Sequence, residues 1–217
     1  MLVKDYMTRH PLMVEPTLTI MDAQRFMVEN RIRHLPIVGD GKRLIGLVTA
    51  HTLLADPSRI GSLDVWEIAR YLSRLTVEQA MIKPKDIITI EPNITIEEAA
   101  RIMIENKVGC LPVLEDGILV GIITDTDMMV HLMKLLGAQE RGIRVTIRLP
   151  DSKGELAKLV SVIAAQGWGI KSLGGTYVPK DPDKWDAVLK ISDANQEQIE
   201  AAISKIEGQK IVDVREV

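Results

Sequence analysis

The sequence predicts an α+β protein: two copies of a β-α-β-β-α unit, then one β-α-β-β-α-β segment. Three observations carry this. The chain repeats itself, with Leu35-Pro36-Ile37-Val38, Asp40-Gly41 and Leu44-Ile45-Gly46-Leu47-Val48-Thr49 returning as Leu111-Pro112-Val113-Leu114, Asp116-Gly117 and Leu119-Val120-Gly121-Ile122-Ile123-Thr124. The spacing from Pro36 to Pro112 recurs from Pro16 to Pro92. Apolar positions alternate or follow helical spacing in the same order in both copies, and the pattern changes after Gly137-Ala138-Gln139-Glu140-Arg141-Gly142. Two copies make a pair rather than a solenoid, which needs about three. A duplicated unit with a pseudo-two-fold axis leaves a cleft between its halves, where two related small-molecule sites can form.

In the first copy, Leu12-Met13-Val14 reads as a short strand. Thr19 reads as an N-cap before Ile20, Ala23, Phe26 and Met27 at helical spacing. In the second, Ile87 to Ile90 is the strand, and Thr95 with Glu98 forms a capping box before Ile96, Ala99, Ala100 and Met103. Each Leu-Pro run suits a buried strand, and each Asp-Gly a hairpin turn. Helices are expected after each terminal Thr, over Thr52–Ala55 and Asp127–Gly137, and an amphipathic helix over Asp64–Arg74 links the copies. The boundaries are 1–56 for the first repeat, 57–75 for the helical linker, 76–136 for the second repeat and 142–217 for the last domain. Within that domain strands are expected over Ile143–Leu149, Gly169–Val178, Trp185–Ile191 and Lys210–Val217, with helices over Gly154–Gln166 and Asn195–Glu207 and a turn over Pro179–Lys184. That order is the ferredoxin-like split βαβ. Gly174-Gly175 reads as a strand irregularity or a close packing point.

The 217 residues are 46% apolar but only 3% aromatic, so the core must be aliphatic with Met filler. Charged residues make up 26% with a net charge of −3. That balance provides no basic field for nucleic acid or lipid headgroups, and the scarcity of aromatics leaves no stacking platform for single strands. The one cysteine, Cys110, forms no internal disulfide and fits a reducing cytoplasm. The N-terminus does not read as a signal peptide, and no apolar stretch of about 18 residues is present. Neither a phosphate-loop glycine motif nor a recognisable nucleophile–base pair occurs.

The doubled segment, roughly residues 1–136, resembles a tandem pair of CBS domains. The residues that carry the likeness are the two Leu-Pro runs, Gly46-Leu47-Val48-Thr49, and Gly121-Ile122-Ile123-Thr124-Asp125-Thr126-Asp127. The last segment resembles an ACT domain through Leu149-Pro150-Asp151-Ser152-Lys153-Gly154-Glu155-Leu156 and Gln166-Gly167-Trp168-Gly169-Ile170. The combined order resembles the family named after acetoin utilisation. The resemblance implies a regulatory ligand sensor rather than an enzyme, taking AMP, ADP, ATP or another adenosine derivative and no cofactor. It further implies a homodimer through CBS and ACT surfaces, and an amino-acid effector as a possible second ligand.

By correspondence with the CBS pattern, Asp127 accepts the ribose hydroxyls, a charge-assisted pairing. Thr124 and Thr126 serve ribose or phosphate oxygens, and Leu12 with Ile32-Arg33-His34 flanks the base. His10 and Arg33 face the phosphates. A second, weaker cleft takes Thr49, His51, Thr52, Ile88, Val108, Gly109 and Cys110, together with Asp86. There Thr52 stands in place of Asp127, Gly109 in place of Arg33 and Asp86 in place of His10, so one strong site per chain is expected. In the ACT segment Lys153, Gly154 and Glu155 open a helix N-terminus that favours a carboxylate. Gly169 stands where amino-acid-binding members carry Asn, which favours a dimerisation role.

Each residue also has a plainer role. Asp127 suits an N-cap, His10 a solvated loop, and Arg33 a surface pair with Asp40 or Glu29 worth under about 1 kcal/mol. His34 is expected to contribute backbone rather than imidazole, and Cys110 to act as a small buried hydrophobe. Met128-Met129-Val130-His131-Leu132-Met133 is expected to form a dimer or core face. His131 with Asp127 falls short of a zinc ligand set, so no metal is expected.

Overall fold

The structure, a computed structural model, describes residues 1–53 and 74–217. The repeated part contains α1 (Val3–Tyr6), β1 (Thr8–Arg9), α2 (Ile20–Glu29), β2 (His34–Val38) and β3 (Leu44–Thr49), then α3 (Val77–Ala80), α4 (Ile96–Asn106), β4 (Cys110–Glu115), β5 (Ile118–Thr124) and α5 (Asp125–Leu135). After it come β6 (Ile143–Pro150), α6 (Glu155–Ala165), β7 (Gly169–Val178), β8 (Asp181–Ser192), α7 (Gln196–Ile203) and β9 (Lys210–Glu216). Contacts divide the chain into two compact units, Met1–Met128 and Met129–Val217.

Thr19 and Thr95 start the matching helices because each hydroxyl accepts from a first-turn amide that has no partner inside the helix. The acceptor distances are the same, 3.1 Å to Asp22 N and 3.1 Å to Glu98 N. The hairpins repeat the same register. Pro36 lies opposite Leu47 and Ile37 opposite Gly46, while Pro112 lies opposite Ile122 and Val113 opposite Gly121. An irregularity follows at the same place, after Ile37 and after Val113.

Several expected elements differ. The strands over 12–14 and 87–90 shrink to single bridges, Val14 to Ile37 and Ile90 to Val113. Each makes one pair of backbone bonds, Val14 N to Pro36 O with Val38 N to Val14 O, and Ile90 N to Pro112 O with Leu114 N to Ile90 O. Asp116 and Gly117 form the expected two-residue turn with positive φ at both (52° and 78°). Asp40–Lys42 instead forms one 3₁₀ turn, with positive φ at Gly41 and Lys42. Helix α5 begins at Asp125 rather than Asp127. Thr52 and Leu53 lie in a turn, and the rest of Thr52–Ala55 lies outside the described residues, as does the linking helix over Asp64–Arg74 apart from Arg74.

The expected repeats 1–56 and 76–136 each lend a short segment to the other's core. Val3, fully buried, packs with Ile90, Ala99, Met103, Leu111, Val113 and Ile123 of the second repeat. Its amide donates to Ile94 O at 3.0 Å, and Thr8 pairs with Ile122 at the sheet edge. Conversely Val77 packs with Ile20, Ala23, Leu35, Ile37 and Val48 of the first repeat, and its amide donates to Leu18 O at 2.8 Å. This exchange explains Gly46 in β3 and Gly121 in β5. A Cβ on Gly46 would overlap the Met81 sulfur, and one on Gly121 the Met7 sulfur. Leu47, Cys110 and Ile122 pack between the repeats.

In the second unit β6 lies between β8 and β9, and β7 pairs outside β8, giving an antiparallel sheet in the order β7-β8-β6-β9. Its element order is the expected β-α-β-β-α-β. One sheet face supplies Val145, Ile147, Leu149, Ala187, Leu189 and Ile191, which pack with Leu159 and Ile163 of α6 and Ile199 and Ile203 of α7. The other face carries ion pairs, among them Arg148 on its cross-strand neighbour Asp186 by two bonds of 2.8 Å. Those bonds hold the Asp186 carboxyl below its usual range. Strand β8 starts earlier than expected, at Asp181, so the turn reduces to Pro179-Lys180, with Lys180 at φ 69°. Helix α7 stops at Ile203, short of Glu207. Gly175 is a close packing point, because a Cβ there would run into the Trp185 indole.

Candidate functional site

Strand β5 ends at Thr124, and the chain turns directly into α5. Thr124 and Asp127 hold that turn reciprocally, as a capping box does. Asp127 Oδ2 accepts from Thr124 N and from Thr124 Oγ1, both at 2.8 Å, and Thr124 Oγ1 accepts from Asp127 N at 3.3 Å. Asp127 Oδ1 accepts no hydrogen bond among the described residues. Asp127 is therefore not the N-cap expected of it: it lies in the first turn of α5, where one oxygen closes the turn back to Thr124, and the residue also lines a cavity.

That cavity, of about 310 Å³, lies between the repeats. It brings together Leu12, Ile32, Arg33, His34, Thr124, Thr126 and Asp127 of the expected set. His10 is exposed at φ 50° and is not part of the lining; Thr8 and Pro11 line the wall on either side of it in sequence. Arg31 and Ile122 also line the cavity without having been expected. Alternation along β5 puts Ile122 on the Thr124 face, a signal present in the sequence. Thr8 carried no such signal, because its place depends on β1 joining the other repeat's sheet.

Arg33 pairs neither with Asp40 nor with Glu29. Its Nη2 donates to Asp125 Oδ1 at 2.7 Å and to Thr126 Oγ1 at 3.0 Å, across the two repeats. His34 lines this cavity and a second one. Its ring packs against Gly109, where a Cβ would lie 3.5 Å from Nε2. Burial, and then the Arg33 charge, hold its pKa below the ordinary imidazole value, with Asp125 pulling more weakly the other way.

The second cavity, about 220 Å³, takes Thr49, Asp86, Ile88, Val108, Gly109 and Cys110 as expected, and adds Leu47, Ile82, Ile87 and Lys107. His51 and Thr52 are not in its lining. The Thr52 hydroxyl is spent locally, accepting from Thr49 N at 2.9 Å and donating to Thr49 O at 3.1 Å. Cys110 is 4% exposed, and burial together with the Asp125 charge pushes its thiol up to about 12. It is a packed hydrophobe rather than a nucleophile.

In the second unit Gly154 caps α6 at φ 90°, and Lys153 beside it is exposed. The Glu155 carboxylate accepts from Lys158 Nζ and Gln209 Nε2, bonds that lower its pKa. Gly169 pairs with Ser192, whose hydroxyl a Cβ would crowd. His131 is buried on α5, while Met129, Leu132, Met133 and Leu135 of the same helix are exposed. Among the described residues no His, Cys, Asp and Glu cluster could hold a metal, and no helix is long and apolar enough to cross a membrane.

Comparison with known proteins places this geometry. A Vibrio cholerae protein assigned provisionally to acetoin utilization (AcuB) superposes with a TM-score of 0.54 at 35% identity, covering 64% of this chain and 96% of its own. CBSX2 of Arabidopsis thaliana in complex with AMP gives 0.51 at 30% identity, covering 61% and 96%. By sequence, the chloroplastic CBSX1 of Arabidopsis thaliana is 34% identical over 128 residues, 51% of this chain and 54% of that protein. Uncharacterized protein MJ1225 of Methanocaldococcus jannaschii is 30% identical over 58% of this chain and 45% of its own length. A homoserine O-acetyltransferase of Methanocorpusculum labreanum matches over only 21% of its length. The chain thus spans about half or less of the curated relatives it matches. The CBS domain profile matches twice, over residues 3–57 and 77–134, and the chain belongs to the CBS domain family.

Proposed function

We propose that the protein is a regulatory sensor that binds an adenosine-containing nucleotide in the cavity lined by Leu12, Arg33, Thr124 and Asp127. The observation that carries this reading is the Asp127 carboxylate: the residue lines the cavity, and its Oδ1 has no hydrogen bond among the described residues. A ribose diol supplies two donors for such an acceptor. Arg31 and Arg33 provide positive charge for a phosphate, and the aliphatic wall of Leu12, Ile32 and Ile122 suits a base. The related CBSX2 holds AMP, which makes AMP the first ligand to test. The second cavity carries Asp86 in its lining and lacks Thr52, whose hydroxyl is spent on Thr49 outside it, so one strong site per chain is the reading we adopt.

Residues 142–217 act as an ACT-type domain in this proposal. Because the Glu155 carboxylate is already engaged by Lys158 and Gln209, its role is assembly more than amino-acid capture. The exposed apolar side chains of α5, among them Met129, Leu132 and Met133, suit a homodimer contact. The competing reading is an oligomerisation scaffold with vestigial clefts, favoured by those same side chains.

Thermal unfolding separates the two. At about 100-fold excess over Kd, a ligand of the native state adds about 2.7 kcal/mol. AMP, ADP, ATP, S-adenosylmethionine, NAD and cyclic di-AMP are the panel, and at least one is expected to stabilise the wild type, with one tight site per chain by titration. Asp127→Ala is expected to lose that shift, and Asp127→Asn, which keeps a capping oxygen, to lose most of it. A panel without any shift would favour the scaffold.

A further inference from the structure

Arg33 and Asp125 come from opposite repeats and meet at the edge of the first cavity, 2.7 Å apart. The duplication supplies an internal control. Arg33 corresponds to Gly109 in the second copy, and Asp125 corresponds to Ala50 in the first. The backbone at the two places is equivalent: Asp125 N donates to Gly109 O at 3.0 Å and Ala50 N to Arg33 O at 3.2 Å. Both charges are thus present at one cleft and both missing from the other, while the fold around them is unchanged. The pair is not a structural necessity of the repeat. Its side chains keep 61% and 51% exposure, so it is screened and exchangeable.

We infer that Asp125 sets the charge selectivity of the first cleft as an internal competitor: its carboxylate holds Arg33 in the empty site, and an anionic group on the ligand engages Arg33 only by taking its place. The inference rests on the nucleotide reading above. A guanidinium presents the same planar fork to a carboxylate and to a phosphate, so the exchange is like for like. The displaced carboxylate cannot leave. Thr126 N donates to Asp125 Oδ1 at 2.7 Å, the Asp125 amide is bound to Gly109, and Oδ2 already faces Gly109, where a Cβ would lie 3.3 Å away. A phosphorylated ligand therefore gains Arg33 but keeps a negative neighbour. An uncharged nucleoside leaves the ion pair intact. Asp125 narrows the gap in affinity between adenosine and AMP that an unopposed arginine would create.

Calorimetric titration of the full chain with adenosine and with AMP tests this, using Asp125→Asn, Arg33→Gln and the double variant. Asp125→Asn is expected to tighten AMP about two- to fivefold, the range an exposed pair allows, and to leave adenosine unchanged. Arg33→Gln is expected to weaken AMP alone, and in that background Asp125→Asn is expected to lose most of its gain. Asp125→Ala, which installs the residue the first repeat carries at this place, is expected to behave like Asp125→Asn, and unfolding without ligand verifies both folds. An equal gain with and without Arg33 would make Asp125 a merely repelling charge and overturn the inference. So would an AMP-to-adenosine ratio that does not move. If neither ligand binds any variant, the nucleotide reading itself fails and the inference falls with it.

Discussion

His34 sits in the wall shared by both cavities, and its lowered pKa gives it a defined effect on stability. Above about pH 6.5 the imidazole is neutral in the folded and unfolded chain alike, and it costs nothing. Below that value the unfolded chain takes up a proton that the folded chain refuses, so stability falls until the pH passes the folded value. Chemical unfolding of the wild type and of His34→Gln between about pH 7.5 and pH 5.5 is expected to show the wild type losing more stability. Parallel profiles would clear His34 of any role. At this scale the sequence pointed to Asp127 as a helix cap, and the structure shifts that role: the helix starts two residues earlier and Asp127 instead closes its first turn onto Thr124. The sequence was silent on the partner of Arg33. Asp125 lies 92 residues away, whereas Asp40 and Glu29 lie close to Arg33 along the chain.

Paired glycines and methionines join elements that the sequence separates. Gly46 on β3 admits the Met81 side chain, and Gly121 on β5 admits that of Met7. Gly121→Ala is expected to cost about 1–3 kcal/mol through overpacking. Gly121→Ala with Met7→Ala is expected to cost less than the sum of the two, since the second change removes the clash. Additive losses would show that some other neighbour limits the strand. In the second unit Lys190, 3% exposed, donates from Nζ to Gly137 O at 2.7 Å and to Glu140 O at 2.6 Å. A buried ammonium thus satisfies carbonyls just beyond the end of α5, where positive charge is favoured. The two Leu-Pro hairpins, helices α2, α4, α6 and α7, and the caps at Thr19 and Thr95 were readable because their signals are local. The strands expected over 12–14 and 87–90 reduce to bridges because a short apolar run does not say how many ladder bonds its neighbours leave for it. Val14 and Ile90 each find one bridge and no more.

For the whole molecule, the doubled pattern pointed to the paired CBS fold, but not to which segment completes which repeat. Val3 belongs to the second repeat's core and Val77 to the first, and periodicity alone cannot assign a four-residue helix to a distant partner. A fragment of residues 1–56 lacks Val77 and is expected to stay unfolded by circular dichroism. Adding residues through 136 is expected to restore a cooperative transition, and a folded 1–56 fragment would refute the exchange. The same exchange orders events during synthesis. Residues 1–9 leave the ribosome before the rest of the pair, yet their partners, Pro92, Ile94 and the β5 residues Gly121 and Ile122, arrive more than eighty residues later. The first half can close once residue 82 has emerged. The segment of residues 1–9, which leads into Thr8, Pro11 and Leu12 of the cleft, has to wait for β5, so the first cavity is among the last parts of the pair to take shape.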